Sequence, residues 1–198
     1  SDEETKTAAY LTEVLAKMGL TAQTEPFAVP MAKNVSATLS ADGAVIPCEG
    51  YRLAGSGEVE APLYYLTNVD PYSLSQCRGK IVLIEGYLGY WKYHDLVEHG
   101  ALGFITFDGD ANYRDFDMDK RELRKFVVDG ANGVKLPGVN INAKSAIAMI
   151  KNKTKTVKIT LSQEEYEGQS RNVVLDLPGE IPETIIFTAH YDSTPLST

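Results

Sequence analysis

His190 and Asp192 are the residues of this sequence best suited to chemistry. They follow the apolar run Ile185-Ile186-Phe187-Thr188-Ala189, whose length and composition predict a buried strand. A neutral imidazole is a common zinc ligand, and a carboxylate two residues on can hold it in one tautomer. The carboxyl end of a buried strand is also where open α/β sheets place their ligands. By spacing alone, His-x-Asp more often describes a strand-end histidine with no metal. The elements around the pair decide between the two.

Ahead of the pair, Val173–Leu177 reads as another strand, and Pro178-Gly179-Glu180 as a tight reversal between the two. At the other end of the chain, Ala8, Leu11, Val14, Leu15 and Met18 carry the spacing of an amphipathic helix over 7–18, with Thr5 or Thr7 to cap it and Gly19 to stop it. Thr24–Val29 reads as a short strand before Pro30. Between these ends the texture changes. Short apolar segments alternate with Gly, Pro, Asn and Asp: Val35–Leu39, Ala44–Ile46, Pro62–Leu66, Ile81–Ile84, Leu102–Phe107, Val139–Ile141 and Val157–Leu161. Strands at that spacing predict a compact sheet or barrel. Two helices interrupt it, Trp91–His99 ending at Gly100, and Ala143–Ile150 behind the N-cap Asn142. The expected fold is therefore α/β (α+β). A middle domain, 31–166, of mixed β-sheet or barrel with flanking helices is inserted into an incomplete α/β domain built from 1–30 and 167–198.

Composition narrows the partners. The chain has 198 residues, 43% hydrophobic and 23% charged, as in a globular protein. Its net charge of -8 argues against nucleic acid, which needs a basic face. No run approaches the length of a membrane span. The acidic start Ser1-Asp2-Glu3-Glu4 is no leader, so an exported form is expected to have lost its own. Cys48 and Cys77 could form one bridge in an oxidising compartment or remain two buried thiols.

The segment Ser170-Arg171-Asn172-Val173-Val174-Leu175-Asp176-Leu177-Pro178-Gly179, followed by Ile185–Ser193, closely resembles the opening of the M28 family of zinc exopeptidases. That family, which includes aminopeptidases and glutamate-carboxypeptidase-like enzymes, carries Asn-Val-x-x-x-x-Pro-Gly, a turn, and a strand ending Ala-His-x-Asp-Ser. The middle is similar to the protease-associated (PA) domain often inserted just ahead. The likeness lies in Gly79-Lys80-Ile81-Val82-Leu83-Ile84, in Leu96–Ile105 with its Gly100-Ala101-Leu102-Gly103 tetrad, and in Leu136-Pro137-Gly138-Val139-Asn140-Ile141.

The resemblance implies a zinc-dependent exopeptidase that hydrolyses terminal peptide bonds of a peptide or protein, outside the cell or at its surface. The PA domain would border the active site and aid substrate selection. His190 would be a ligand of one zinc in a two-zinc site, and Asp192 would orient its imidazole without binding metal. The family's remaining ligands and its general base lie downstream of this segment, so the 198-residue chain alone is expected to be inactive. It is also expected to expose apolar strand edges that invite dimerisation. The other reading is a stand-alone PA-type module that binds protein or peptide without catalysis.

Other signals are weaker. The stretch Asp108–Asp119 places oxygen side chains at positions 1, 3, 5, 8, 10 and 12 of a would-be calcium loop. Tyr113 occupies the position that requires Gly, and Asp119 the one that prefers Glu, which favours a solvated acidic loop. His94 and His99 are five apart, wrong for ligands on one helical face. Tyr87, Tyr90, Trp91 and Tyr93 read as helix-packing aromatics or as a patch that contacts substrate or the rest of an enzyme. Gly55-Ser56-Gly57 lacks the pattern of a nucleophile elbow. The basic run Lys151–Lys158 reads as the outer face of an edge strand.

Overall fold

A computed structural model describes residues 2–108, 119, 133–181 and 183–191. The described chain divides into two compact units, Met31–Tyr166 and a second made of Ser1–Pro30 with Glu167–Thr198. Helix α1 (Asp2–Lys17) belongs to the second. It begins earlier than the spacing predicts, because Asp2, Glu3 and Glu4 suit the positive end of the helix dipole. Thr7 is therefore inside the helix, where its hydroxyl donates back to the Glu3 carbonyl at 2.9 Å instead of capping. Gly19 adopts φ +79°, and the Leu20 and Gly19 amides close on the carbonyls of Leu15 and Ala16 at 3.0 Å. That pair of bonds is the Schellman ending a left-handed glycine permits.

The sheet has eight strands in the order β2-β1-β8-β4-β5-β6-β7-β3. Four of them, β4 (Gly57–Leu66), β5 (Ile81–Glu85), β6 (Gly103–Asp108) and β7 (Gly138–Asn142), run parallel to one another. The near-continuous apolar runs of β5 and β6 follow from being covered on both faces. Alternate residues serve alternate faces. Val82, Ile84 and Phe104 join one core cluster with Leu74 of α2 (Pro71–Ser75) and with Tyr93 and Leu96 of α3 (Tyr90–Glu98). Ile81, Leu83, Ile105 and Phe107 join another with Ala146 and Met149 of α4 (Ala143–Lys151). The architecture is thus mixed α/β, a mixed sheet with flanking helices.

The remaining strands run antiparallel to their neighbours. These are β2 (Ala44–Ile46) on β1 (Gln23–Ala41), β8 (Thr156–Val174) on β4, and β3 (Glu49–Gly50) on β7. Gly50 shows that the sheet curls back on itself. A Cβ there would lie 2.7 Å from Leu161 Cδ1 of β8 and 2.9 Å from Val35 Cγ1 of β1, although β3 is the far end of the strand order. One face of β8 also feeds both clusters, Val157 and Ile159 the second and Leu161 the first. The middle unit is barrel-like for that reason.

Three expectations need correction. Thr24–Val29 and Val35–Leu39 are one strand, not two, because Pro30 lies where β2 does not reach; β2 pairs only with Leu39–Ala41. Asn34, at φ +51°, sits within that strand, its side-chain amide donating to Glu164 Oε1 at 2.9 Å. Similarly, Val157–Leu161 and the start of Val173–Leu177 belong to the single strand β8. The basic residues before and within it do not mark an edge: β8 lies between β1 and β4, and Lys158 pairs with Glu58 at 2.7 Å.

Candidate functional site

The helix caps place the loops that matter. Asp70 accepts from the Ser73 amide at 3.0 Å and starts α2, with Pro71 in the first turn where its missing N–H costs nothing. That hydrogen bond also holds the Asp70 carboxyl below its ordinary range. Asn142 starts α4 by accepting from the Ser145 amide at 2.8 Å. Residues 67–70 after β4 and 86–89 after β5 therefore lie side by side at the carboxyl ends of two paired parallel strands.

At the ends of these two strands opens a cleft of about 210 Å³, whose lining includes Tyr65, Thr67, Asn68, Val69, Glu85 and Lys92. The carboxyl ends of parallel strands are where α/β sheets leave room for ligands. Glu85 is exposed and Lys92 half-buried. Tyr65 packs on Phe107 with ring centroids 6.3 Å apart, and burial, helped by the Glu85 charge, pushes its phenol up. Sequence reasoning missed this cleft, since it is formed by residues of β4, β5, α3 and one loop, and none of these carries a motif.

The aromatic group Tyr87, Tyr90, Trp91 and Tyr93 divides. Tyr93 is core: its hydroxyl donates to the Val134 carbonyl at 2.6 Å and accepts from the Leu136 amide at 2.9 Å, and burial pushes its phenol up. Tyr87, Tyr90 and Trp91 are exposed, Trp91 by 79%. Tyr90 meets Trp91 edge-on at 5.0 Å and stacks at a tilt on His94 at 4.3 Å. His99 pairs with the Asp95 carbonyl of its own helix at 2.8 Å. Neither histidine faces a cluster of metal-ligating groups among the described residues.

His190 stands elsewhere. Residues 183–190 have no regular secondary structure, and Ile185, Ile186 and Phe187 are 75%, 78% and 91% exposed. The expected buried strand Ile185–Ala189 is not formed. An apolar run becomes a buried strand only when neighbours take its backbone hydrogen bonds and layers cover both faces, and among the described residues no strand pairs with it. The segment is tied by the Tyr191 hydroxyl, which donates to the Arg171 carbonyl at 2.7 Å. His190 is exposed, and Asp192 lies outside the described residues. A structural zinc takes four protein ligands and a catalytic one three. No three His, Cys, Asp or Glu side chains converge among the described residues, so these residues do not fit a zinc ion.

Cys48 and Cys77 are not bridged to each other; Cys77 is fully buried, which pushes its thiol up. Most of the would-be calcium loop falls outside the described residues. Gly55 has a structural role. A Cβ on it would overlap the Lys135 carbonyl oxygen, and its amide donates to the Leu136 carbonyl at 3.0 Å. A buried polar trio also escaped sequence reasoning: Thr106 Oγ1 lies 2.8 Å from the Tyr51 hydroxyl and accepts from Asn140 Nδ2 at 2.9 Å. No described helix is long and apolar enough to cross a membrane.

No family model matches the chain, and no curated protein does either. Solved structures do share its fold. An aminopeptidase from Aneurinibacillus superposes with a TM-score of 0.65 at 19% identity, over 92% of this chain and 44% of its own. A zinc aminopeptidase from Bacillus subtilis gives 0.58 at 21% identity, over 91% and 43%. A Peptidase M28 precursor from Shewanella amazonensis gives 0.58 at 18%, over 87% and 45%. The likeness is one of fold, and this chain spans less than half the length of each.

Proposed function

We propose that this chain is part of a zinc-dependent exopeptidase, with Met31–Tyr166 as a PA domain that borders the active site and helps to select peptide or protein substrates. One observation carries the reading: the fold likeness to aminopeptidases, the Bacillus subtilis one a zinc enzyme, extends over about nine-tenths of the chain. The motif resemblance through Asn172, Pro178, Gly179, His190 and Asp192 points the same way from independent residues. In this reading His190 is one metal ligand and Asp192 holds its imidazole, and the other ligands and the general base come from residues beyond those described. Such ions would activate water and polarise the scissile carbonyl. The enzyme acts outside the cell or at its surface. The exposed run Ile185–Phe187 is an adhesive surface through which the isolated chain dimerises.

The 198-residue chain is therefore expected to release no amino acid from a peptide panel with zinc added, and to scatter light as a dimer. Release that disappears in His190→Ala would overturn the division of labour, and a monomer the adhesive surface. A second reading, a PA-type binding module without catalysis, is favoured by the ordered core of the Met31–Tyr166 unit. The gene decides between them. A reading frame that continues into an Asp-Asn and then a Glu-Glu supports the peptidase, and a stop codon after Thr198 supports the module.

A further inference from the structure

The cleft at the carboxyl ends of β4 and β5 carries chemistry that the exopeptidase reading does not use. Its lining presents one acid, Glu85, and one base, Lys92, and no ion pair joins the two among the described residues. Unlike charges that share a small hollow and leave each other available suit a ligand carrying both signs. At about 210 Å³ the hollow is below the ~300 Å³ at which sites for larger small molecules begin. It therefore has room for a single amino acid. Val69, 47% exposed, and the Tyr65 ring supply an apolar wall, and the side chains of Thr67 and Asn68 supply neutral hydrogen-bonding groups. Beside it, Tyr87, Tyr90 and Trp91 leave a patch of aromatic surface open on the β5–α3 loop and the first turn of α3, with Trp91 directly preceding Lys92.

We infer that this cleft binds a zwitterionic amino acid with an apolar side chain, its carboxylate on Lys92, its ammonium on Glu85, and its side chain against Val69 and Tyr65. The site needs neither zinc nor peptide hydrolysis, so its fate is separate from that of the exopeptidase reading.

Trp91 is the single tryptophan of the chain and directly precedes Lys92 of the cleft in α3, so its emission is the probe used. The intact 198-residue chain is titrated, with no metal added, with leucine, and with N-acetylleucine amide, which lacks both charges. Isoamylamine and isocaproate carry one charge each. Leucine is used because it does not absorb where tryptophan is excited. A saturable change is expected with leucine, weakened by about tenfold or more with either singly charged compound and absent with the amide, each lost contact being a charge-assisted hydrogen bond. Glu85→Gln is expected to weaken leucine without affecting isocaproate, and Lys92→Gln to weaken leucine without affecting isoamylamine. Circular dichroism checks that both variants fold; if either does not, the four ligands on the unaltered chain still decide. An unsaturable response to leucine, or equal responses to leucine and the amide, would overturn the inference.

Discussion

Two apolar runs of nearly the same composition have opposite fates in this molecule. Ile81-Val82-Leu83-Ile84 is almost completely buried, whereas Ile185-Ile186-Phe187 is at least three-quarters exposed. Local sequence does not separate them, since both are rich in β-branched residues and free of charge and proline. The difference is in their neighbours. Strand β5 has β4 on one side and β6 on the other, with α2 and α3 over one face and α4 over the other. Residues 185–187 have no paired strand among those described. Burial here is a property of partners, and hydrophobicity only makes a segment eligible for it.

Paired substitutions sharpen that contrast. Phe104→Ala, in the strand beside β5, removes a ring that touches Tyr51 edge-on at 5.0 Å and Tyr93 at 6.2 Å, and is expected to cost about 3–5 kcal/mol in denaturant unfolding. Phe187→Ala deletes the same atoms from an exposed position and is expected to change stability by no more than about 0.5 kcal/mol. Equal losses would sink the comparison. Tyr93→Phe keeps the ring but removes the hydroxyl that bonds both Val134 and Leu136. An expected loss of about 1–3 kcal/mol by the same method would show that the unit depends on satisfied polar groups as well as on burial.

The smallest effect belongs to the other unit. Glu4 accepts from the Ser170 hydroxyl at 3.0 Å and lies 3.7 Å from Arg171 Nε, and these partners, Ser170 first, lower its carboxyl below the ordinary value. Because the folded value is depressed, the stabilisation is present above the ordinary value of 4.5 and is lost as pH falls through the folded one. Ser170→Ala should lower the melting temperature slightly at neutral pH and not at all in stronger acid. The group is partly exposed, so the shift is small. A deficit of the same size at both extremes would mean that Ser170 acts through packing instead.

Legibility followed the range of the interactions. Asn142 and α4 were readable because a cap and its helix lie within four residues of each other. So were the Trp91–His99 helix, Gly100 and the strand after it. Helix α2 was missed although Asp70-Pro71 announces it, since a five-residue helix has no apolar period to find. Strand β3 is two residues long and exists only through β7. The basic run was misplaced because lysine on a strand marks a solvent-facing side chain, whether the strand is central or at an edge. For the candidate sites the same rule holds. His190 was visible as a motif, but three further ligands cannot be assembled from its surroundings among the described residues. The cleft is built by the ends of β4 and β5, the residues after β4 and Lys92 of α3, which meet through the pairing of β4 with β5, and no local pattern encodes that meeting.

The two unbridged thiols give the molecule its own clock. Cys48 is half-buried, while Cys77 is sealed inside the first core cluster at the end of α2, its Sγ 3.8 Å from the Ser73 carbonyl oxygen. An alkylating reagent should mark the folded chain first at Cys48. A second mark can follow only when α2 lifts off the sheet. The interval between the two, timed by mass spectrometry, is the lifetime of that closed core.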